Sequence, residues 1–295
     1  MIKVDGISKI IDSLRKKVNF SPHIEITLES NPEDITAEKL DEWRSTGINR
    51  LSIGVQSLDN DVLRTIRRGL NSTDLISKIV LAQKHFDNVG IDLISGLPND
   101  DIDSLTTTLR DIIDLSPNHI SVYDLETDND SVIGQNPDKY SLPKEEESVK
   151  MLISAWNLLE EHGYEQYEIS NFAKNRAYCR HNLDFWKGCD YLGFGLGATS
   201  KTAETITTNS NNFGEYISGV NHKTEETLTD YEEKCLRLLT AMRLNTSFKN
   251  ELIAVLGNAA IPLDIATARL INSRFTLTQK GKLVLNTIYE RLLQA

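Results

Sequence analysis

Cysteine is scarce in this sequence, and its scarcity excludes several kinds of site. Three cysteines occur among 295 residues, at Cys179, Cys189 and Cys235. An odd and sparse set does not support a disulfide framework and is typical of a reducing compartment. The three are also too far apart in sequence for the closely spaced motifs that bind zinc or an iron–sulfur cluster. The cysteines therefore predict neither a zinc site nor an iron–sulfur cluster in this chain.

Long apolar runs and an excess of positive charge are lacking as well. No segment approaches the roughly 20 apolar residues of a membrane helix, and the first residues lack the apolar core of a signal peptide. The net charge is −11, from 32 Lys and Arg against 43 Asp and Glu. Such a surface repels phosphate backbones. We therefore expect a cytoplasmic protein that does not bind nucleic acid and meets membranes only through partner proteins.

Strand and helix patterns alternate over residues 1–142. Strands are predicted at 24–29, 50–56, 90–95 and 119–124, with amphipathic helices between them. This alternation predicts a mainly parallel sheet. One strand face is apolar, and the other carries Glu25, Thr27, Glu29, Gly54, Gln56 and Asp92. A polar inner face favours a barrel over a flat sheet that is buried on both sides.

The pattern changes after Pro143. A long helix is predicted to end at Gly163, and a strand is predicted over 164–170. We expect a partial barrel over residues 1–170, a connecting region over 171–222, and a small, mainly helical, winged-helix-like domain over 223–295.

Polar side chains gather near the ends of the predicted strands. Glu29 and Gln56 end the first two strands, Asp92 lies in the third, and Arg68 closes the helix after Gln56. Ligands of parallel α/β folds bind at the carboxyl ends of the strands. Two carboxylates, an amide and a guanidinium suit a zwitterionic, nucleoside-like ligand. Each residue alone is also consistent with a solvated loop, but the four together favour a ligand site.

Six segments resemble, in order and spacing, the haem chaperone / oxygen-independent coproporphyrinogen III oxidase-like family of radical S-adenosylmethionine proteins. They are Glu29–Pro32, Ser52–Ser57, Asp92–Pro98, Tyr164–Ala173, Cys179–Asn182 and Asp190–Gly195. The resemblance implies an α/β fold with an incomplete (β/α)6 barrel, a partial TIM barrel. It also implies that Glu29, Gln56, Arg68 and Asp92 contact S-adenosylmethionine.

The resemblance implies haem as a second cofactor. His181-Asn182-x-x-Phe185-Trp186 is similar to a His-Asn-x-x-Tyr-Trp segment that the family associates with haem. We expect His181 to bind or orient haem, because imidazole is a common axial ligand. Cys179 is a second candidate.

The sequence also departs from the family pattern. Neither the Cys-x-x-x-Cys-x-x-Cys motif of the [4Fe–4S] cluster nor the Gly-Gly-Gly-Thr-Pro segment occurs here. We therefore expect a chain without the first barrel strand and the cluster loop, with an exposed sheet edge and no catalysis of its own. Phe185 and Thr199 stand where the family has Tyr and His.

Several functions remain open from the sequence. The chaperone-like motifs favour a protein that binds haem and passes it to acceptor proteins, such as respiratory ones. An oxygen-independent coproporphyrinogen III oxidase of porphyrin biosynthesis and an inactive fragment are alternatives. An unrelated barrel enzyme for a phosphorylated ligand would need a glycine-rich loop that opens a helix, and the glycine cluster at 193–198 lies beyond the strand–helix repeats. Both a monomer and a homodimer are consistent with the sequence.

Overall fold

The computed structural model describes residues 4–127, 131–219, 223–257, 270–272 and 274–294. It divides the chain into two compact units, Met1–Tyr178 and Cys179–Ala295. The region predicted as a connection, 171–222, is shared between them. Its first residues belong to the first unit, and the rest belong to the second.

A six-stranded sheet forms the centre of the first unit. Its strands are β1 Thr27–Ser30, β2 Arg50–Gln56, β3 Val89–Ser95, β4 His119–Asp124, β5 Glu165–Gln166 and β6 Asn171–Ala173. The order is β1-β2-β3-β4-β6-β5. β1 to β4 are parallel, whereas β6 is antiparallel to both β4 and β5. The predicted mainly parallel α/β sheet is confirmed.

The strand predicted over 164–170 is confirmed only as the short strand β5, Glu165–Gln166. The chain instead reverses between β5 and β6 and forms two short antiparallel strands. A side chain stabilises this reversal of the chain: Glu168 Oε1 accepts a hydrogen bond of 2.8 Å from the backbone N–H of Ser170. Tyr167 then donates its N–H to the carbonyl oxygen of Asn171, and this closes the turn.

Helices connect the strands of the first unit. They are α1 Val4–Arg15, α2 Ala37–Thr46, α3 Asn60–Thr65, α4 Ser72–His85, α5 Ile102–Asp114 and α6 Glu145–Glu161. Capping residues define the ends of α2, since the Thr36 hydroxyl accepts from Lys39 N–H and Gly47 ends the helix in the left-handed conformation. No helix in the described part of the chain has the length and hydropathy to cross a lipid bilayer.

The two faces of the sheet differ in polarity. Leu51, Ile53 and Val55 of β2 are fully buried and alternate with Arg50, Ser52, Gly54 and Gln56, because successive strand residues point to opposite faces. Helices α4 and α6 pack against the sheet. The polar face is therefore the inner one, as expected for a partial barrel.

The sheet is open at β1. Among the described residues, β1 has β2 as its only neighbouring strand. No closed barrel forms from these strands, which agrees with the expected incomplete barrel. An open edge leaves backbone N–H and C=O groups without a partner strand.

The second unit combines a small sheet with helices. Its strands β7 Thr199–Thr202, β8 Thr205–Asn209 and β9 Lys223–Thr227 are antiparallel. Its helices are α7 Arg180–Trp186, α8 Phe213–Ile217, α9 Asp230–Arg243, α10 Lys249–Leu256, α11 Gln279–Leu283 and α12 Leu285–Leu293. The mainly helical character expected near the end of the chain is observed in α9 to α12. The winged-helix-like arrangement stays a prediction, because residues 258–269 lie outside the described ones.

Candidate functional site

Gly54, near the end of β2, is the point around which the four predicted ligand residues gather. A Cβ atom at this position would lie 3.0 Å from Gln56 Nε2 and 3.6 Å from Arg68 Nη2. Asp92 of β3 is the register partner of Gly54. Glu29 of β1 is the partner of Ser52, which shares a face of β2 with Gly54. The structure thus brings Glu29, Gln56, Arg68 and Asp92 to one side of the sheet.

Arg68 is held over the strand ends by two hydrogen bonds. Its Nη2 donates to the carbonyl oxygen of Gly54 at 3.0 Å, and its Nη1 donates to Asn31 Oδ1 at 3.2 Å, just after β1. The backbone N–H of Arg68 also bonds to Leu63 O at the end of α3. A guanidinium has five N–H donors, so an orientated and half-buried Arg68 retains donors for a ligand carboxylate.

Gln56 ends β2 in a strained backbone conformation. Its φ of 71° lies in the left-handed region, which is uncommon for residues other than glycine. The pairing of β2 with β3 shifts at this point, so that Gln56, and not Val55, faces Leu93. Such a bulge re-aims a side chain. Here it places the Gln56 amide next to Gly54.

Asp92 is bonded to the strands on both sides of it. Ser52 Oγ of β2 donates to Oδ2 at 2.9 Å, and Ser121 Oγ of β4 donates to Oδ1 at 2.6 Å. Burial raises the pKa of the Asp92 carboxyl above its usual range, while the bonds from Ser121 and Ser52 and the charge of Arg50 act in the opposite direction. The two serines fix the carboxylate and leave further lone pairs for ligand hydroxyl groups.

Glu29 differs from the other three residues. Its side chain is exposed at the open edge of the sheet, and it has no hydrogen-bond partner among the described residues. An exposed carboxylate at a strand end can accept a hydrogen bond from a ligand without losing an existing one.

Sequence reasoning missed the polar residues that support Asp92. Besides Ser52 and Ser121, they include Asn171, whose Oδ1 lies 2.9 Å from Ser121 Oγ and whose Nδ2 donates to Glu168. The alternation along β2 and β4 was a signal, since it places serines on the polar face. It was not specific, because a polar strand face is just as typical of a solvated sheet.

A buried acid organises the loop after β3. Asp100 Oδ2 accepts from the backbone N–H of Gly96 at 3.2 Å, and Asp100 Oδ1 accepts from the Ser104 hydroxyl. Burial raises the pKa of Asp100 to about 6, although the bonds from Ser104 and Gly96 oppose this. The loop at the carboxyl end of β3 is thereby tied to the first turn of α5.

His181 lies in the second unit, in the first turn of α7. Its side chain is exposed, whereas Cys179 is the buried N-cap residue of the same helix. The Phe185 ring packs against Trp186 and Tyr191, with centroids 4.9 and 5.3 Å apart. Phe185, which replaces the family's Tyr, is thus part of an aromatic cluster. The structure leaves His181 as the exposed imidazole of the motif.

The other departures from the family pattern have structural roles. Thr199 Oγ1 pairs with Thr208 Oγ1 at 3.0 Å across β7 and β8. The glycine cluster at 193–198 leads into strand β7 and not into a helix. A phosphate cradle of the helix-opening type therefore has no helix at this position.

The described residues do not fit a [4Fe–4S] cluster. None of their His, Cys, Asp and Glu side chains form a group of three or more that could hold a metal ion. Cys179, Cys189 and Cys235 all belong to the second unit. Such a cluster needs several thiolates close together, and the described residues do not provide them.

Comparison with known proteins identifies the relatives of this chain. The Radical SAM superfamily model matches residues 4–112. The haem chaperone HemW of Buchnera aphidicola subsp. Acyrthosiphon pisum is 31% identical over an alignment of 312 residues, which covers 100% of this chain and 81% of that protein. HemW of Bacillus subtilis is 30% identical over 304 residues, covering 97% and 80%.

A solved structure shows the same fold. Coproporphyrinogen III oxidase (HemN) of Escherichia coli, described as a radical SAM enzyme, superimposes with a TM-score of 0.82 at 22% sequence identity. The match covers 99% of this chain and 74% of that one. Together with the two HemW sequences, which match over about four fifths of their lengths, it leads to one assignment. The chain belongs to the HemW/HemN-like family of radical S-adenosylmethionine proteins.

Proposed function

We propose that this chain is a haem chaperone-like protein that binds S-adenosylmethionine on its partial barrel and haem on its second unit, for delivery to acceptor proteins. The observation that carries the first part is the convergence of Glu29, Gln56, Arg68 and Asp92 around Gly54. The second part is supported by relatives that are named haem chaperones and by the exposed His181 of α7.

The side chains around Gly54 match the chemistry of S-adenosylmethionine. Arg68 would bind the carboxylate of its methionine part, since a guanidinium recognises carboxylates through paired N–H groups. Asp92 and Glu29 would accept hydrogen bonds from its hydroxyl groups, and the Gln56 amide can both donate and accept. In radical enzymes this cofactor supplies the radical. The residues described here would bind and orient it.

Calorimetric titration of the 295-residue chain with S-adenosylmethionine tests this assignment. We expect Arg68→Met and Asp92→Asn each to weaken binding about tenfold or more, because each removes a hydrogen bond to a charged group. Arg110→Met, which alters an exposed arginine of α5, should bind like the wild type. Absence of binding by the wild type, or unchanged affinity in both site variants, would contradict the assignment.

The relatives favour a chaperone over an oxidase. The HemN likeness is at 22% identity and concerns the fold, whereas the relatives at 30% and 31% identity are named haem chaperones. A haem chaperone needs an exposed and exchangeable ligand for haem iron. His181 satisfies the requirement for exposure.

Haem titration separates the two functions. We expect a Soret shift on adding haem to the wild type, and its loss or a weakening of about tenfold in His181→Ala, because an axial ligand is removed. His162→Ala changes an exposed histidine of the first unit and is the matched control. The same spectra and affinity for His181→Ala and the wild type would exclude His181 as the ligand. Decarboxylation of coproporphyrinogen III by the chain, without transfer of haem to an apoprotein, would support the oxidase instead.

A further inference from the structure

Arg50, the first residue of β2, is a buried cation. It is 2% exposed, and its Nε atom is buried without a hydrogen-bond partner. Its guanidinium forms no hydrogen bond and no ion pair with any residue that the structure describes. Burial of a cation is costly unless an anion offsets its charge. The position therefore needs an explanation in terms of charge.

The guanidinium of Arg50 lies over Gly90, at the start of β3. A Cβ atom on residue 90 would be 3.1 Å from Arg50 Nη2 and 3.4 Å from both Ser52 Oγ and His119 Nδ1. Ser52 and Gly90 are register partners. The missing side chain at residue 90 thus makes room for the guanidinium on the polar face of the sheet.

Asp92 is the next residue after Gly90 on that face of β3. The Ser52 hydroxyl, which borders the same space above Gly90 as the guanidinium, donates to Asp92 Oδ2. Arg50, Ser52 and Asp92 therefore lie on one polar face of β2 and β3, and Ser52 is bonded to Asp92. Burial raises the pKa of the Asp92 carboxyl, and the bonds from Ser121 and Ser52, followed by the charge of Arg50, act in the opposite direction.

Arg68 bonds to the carbonyl oxygen of Gly54, the register partner of Asp92, but it is not among the groups whose charge acts on the pKa of Asp92. His119 of β4 is 1% exposed and contacts the Tyr167 hydroxyl through Nε2 at 2.7 Å. Burial, and then the charge of Arg50, lower the pKa of His119 well below its usual range, so its ring is neutral at physiological pH. Tyr123 of β4 and Glu168 of the hairpin turn are the remaining groups, and neither can carry a positive charge.

We propose that Arg50 is a positioning residue whose buried guanidinium is the counter-charge that keeps Asp92 ionised for binding ligand hydroxyl groups. The inference rests on the proposed function, in which Asp92 contacts S-adenosylmethionine. Gly90 belongs to the same arrangement, because a larger residue at this position would displace the Arg50 guanidinium. His119 serves as an independent reporter, because the same charge acts on its ring.

Carboxyl and imidazole titrations by NMR on the 295-residue chain test the proposal, with Asp92→Asn used to assign the Asp92 signal. In Arg50→Met we expect the pKa of Asp92 and the pKa of His119 both to rise, because the cation that lowers each of them is gone. Affinity for S-adenosylmethionine at neutral pH should fall about tenfold, the effect of losing one hydrogen bond to a charged group. The affinity of Arg50→Met for S-adenosylmethionine should recover as the pH is raised, since Asp92 then ionises again.

The controls separate this proposal from the proposed function. Arg110→Met should leave both titrations unchanged. A shift of His119 without a shift of Asp92 in Arg50→Met would overturn the proposal. If Arg50→Met does not fold, Gly90→Ala tests the proposal instead. This variant keeps the Arg50 charge, but its methyl group displaces the guanidinium from its place over residue 90. An unaltered Asp92 titration in that variant also overturns the proposal. If the wild type does not bind S-adenosylmethionine, the proposed function fails, and the titrations of the ligand-free chain still decide the role of Arg50.

Discussion

Asp92 and Asp100 are two buried acids of the first unit with different surroundings. Asp92 accepts hydrogen bonds from two serine hydroxyls, and these bonds and the charge of Arg50 lower its pKa against the effect of burial. Asp100 receives its bonds from the Gly96 N–H and from Ser104, and no cation is among the groups that oppose its burial. Burial favours the protonated form in both cases. Asp100 is therefore the acid whose titration should be visible in the stability of the fold.

Stability should fall with rising pH because of Asp100. Its pKa is raised from 3.8 to about 6 in the folded chain, so the folded state keeps a proton that the unfolded state releases. The contribution is fully present below the unfolded pKa and is lost as the pH rises through the folded pKa, a loss of about 3 kcal/mol at most. Asp100→Asn still accepts from Gly96 and can donate to Ser104, but it cannot ionise. We expect the free energy of unfolding of Asp100→Asn to fall less than that of the wild type as the pH rises from 3.8 to about 6.

Urea unfolding followed by tryptophan fluorescence over this pH range measures the difference. Asp111→Asn removes an exposed carboxylate from the same helix, α5, and should keep the pH dependence of the wild type. An Asp100→Asn variant whose stability changes with pH as steeply as that of the wild type would show that Asp100 is not the group responsible.

Strand β2 contributes to both the apolar core and the polar inner face of the sheet. Its apolar residues build the core, and its polar residues Arg50, Ser52 and Gln56 line the inner face. The strand ends in the left-handed conformation of Gln56, and the Ser57 N–H returns to Val55 O at 2.9 Å. Strained residues of this kind concentrate at ligand sites, where the surrounding structure holds them in place. The backbone at the end of β2 is therefore held in a conformation that costs stability and is typical of ligand sites.

Substitutions at Gln56 separate strain from ligand contact. Gln56→Gly should be more stable to unfolding than Gln56→Ala by about 1 kcal/mol, because glycine adopts a positive φ without steric penalty. Both variants lose the amide, so both should bind S-adenosylmethionine about fivefold more weakly, the effect of one neutral hydrogen bond. Urea unfolding and calorimetry give the two quantities. A Gln56→Gly variant less stable than Gln56→Ala would show that the backbone here is not strained.

At the scale of the whole molecule, the proposed tasks are divided between the two units. Glu29, Arg68 and Asp92 belong to the first unit and His181 belongs to the second. The chain carries a net charge of −11, which disfavours binding to nucleic acid. The titrations with S-adenosylmethionine and with haem thus report on different units of one chain.

Local patterns were enough to predict the order of elements and part of the site. The alternation of apolar residues depends only on neighbours in sequence, so β1 to β4 and the helices between them could be assigned without a structure. Thr36 and Gly47 identify the ends of α2 by their own cap chemistry. Glu29, Gln56 and Asp92 could be placed near one sheet edge, because parallel strands end on the same side.

The sequence by itself thus determined the α/β class, the polar inner face and the four candidate ligand residues, because these follow from local periodicity and from spacing. Only the tertiary structure decided which side chains support them. Ser52 and Ser121 meet Asp92 across 40 and 29 residues of sequence, and Arg50 lies over Gly90 because of the register between β2 and β3. The hairpin of β5 and β6 likewise depends on the Glu168 side chain and on pairing with β4. Register and burial arise from contacts between distant segments, and no local pattern specifies them.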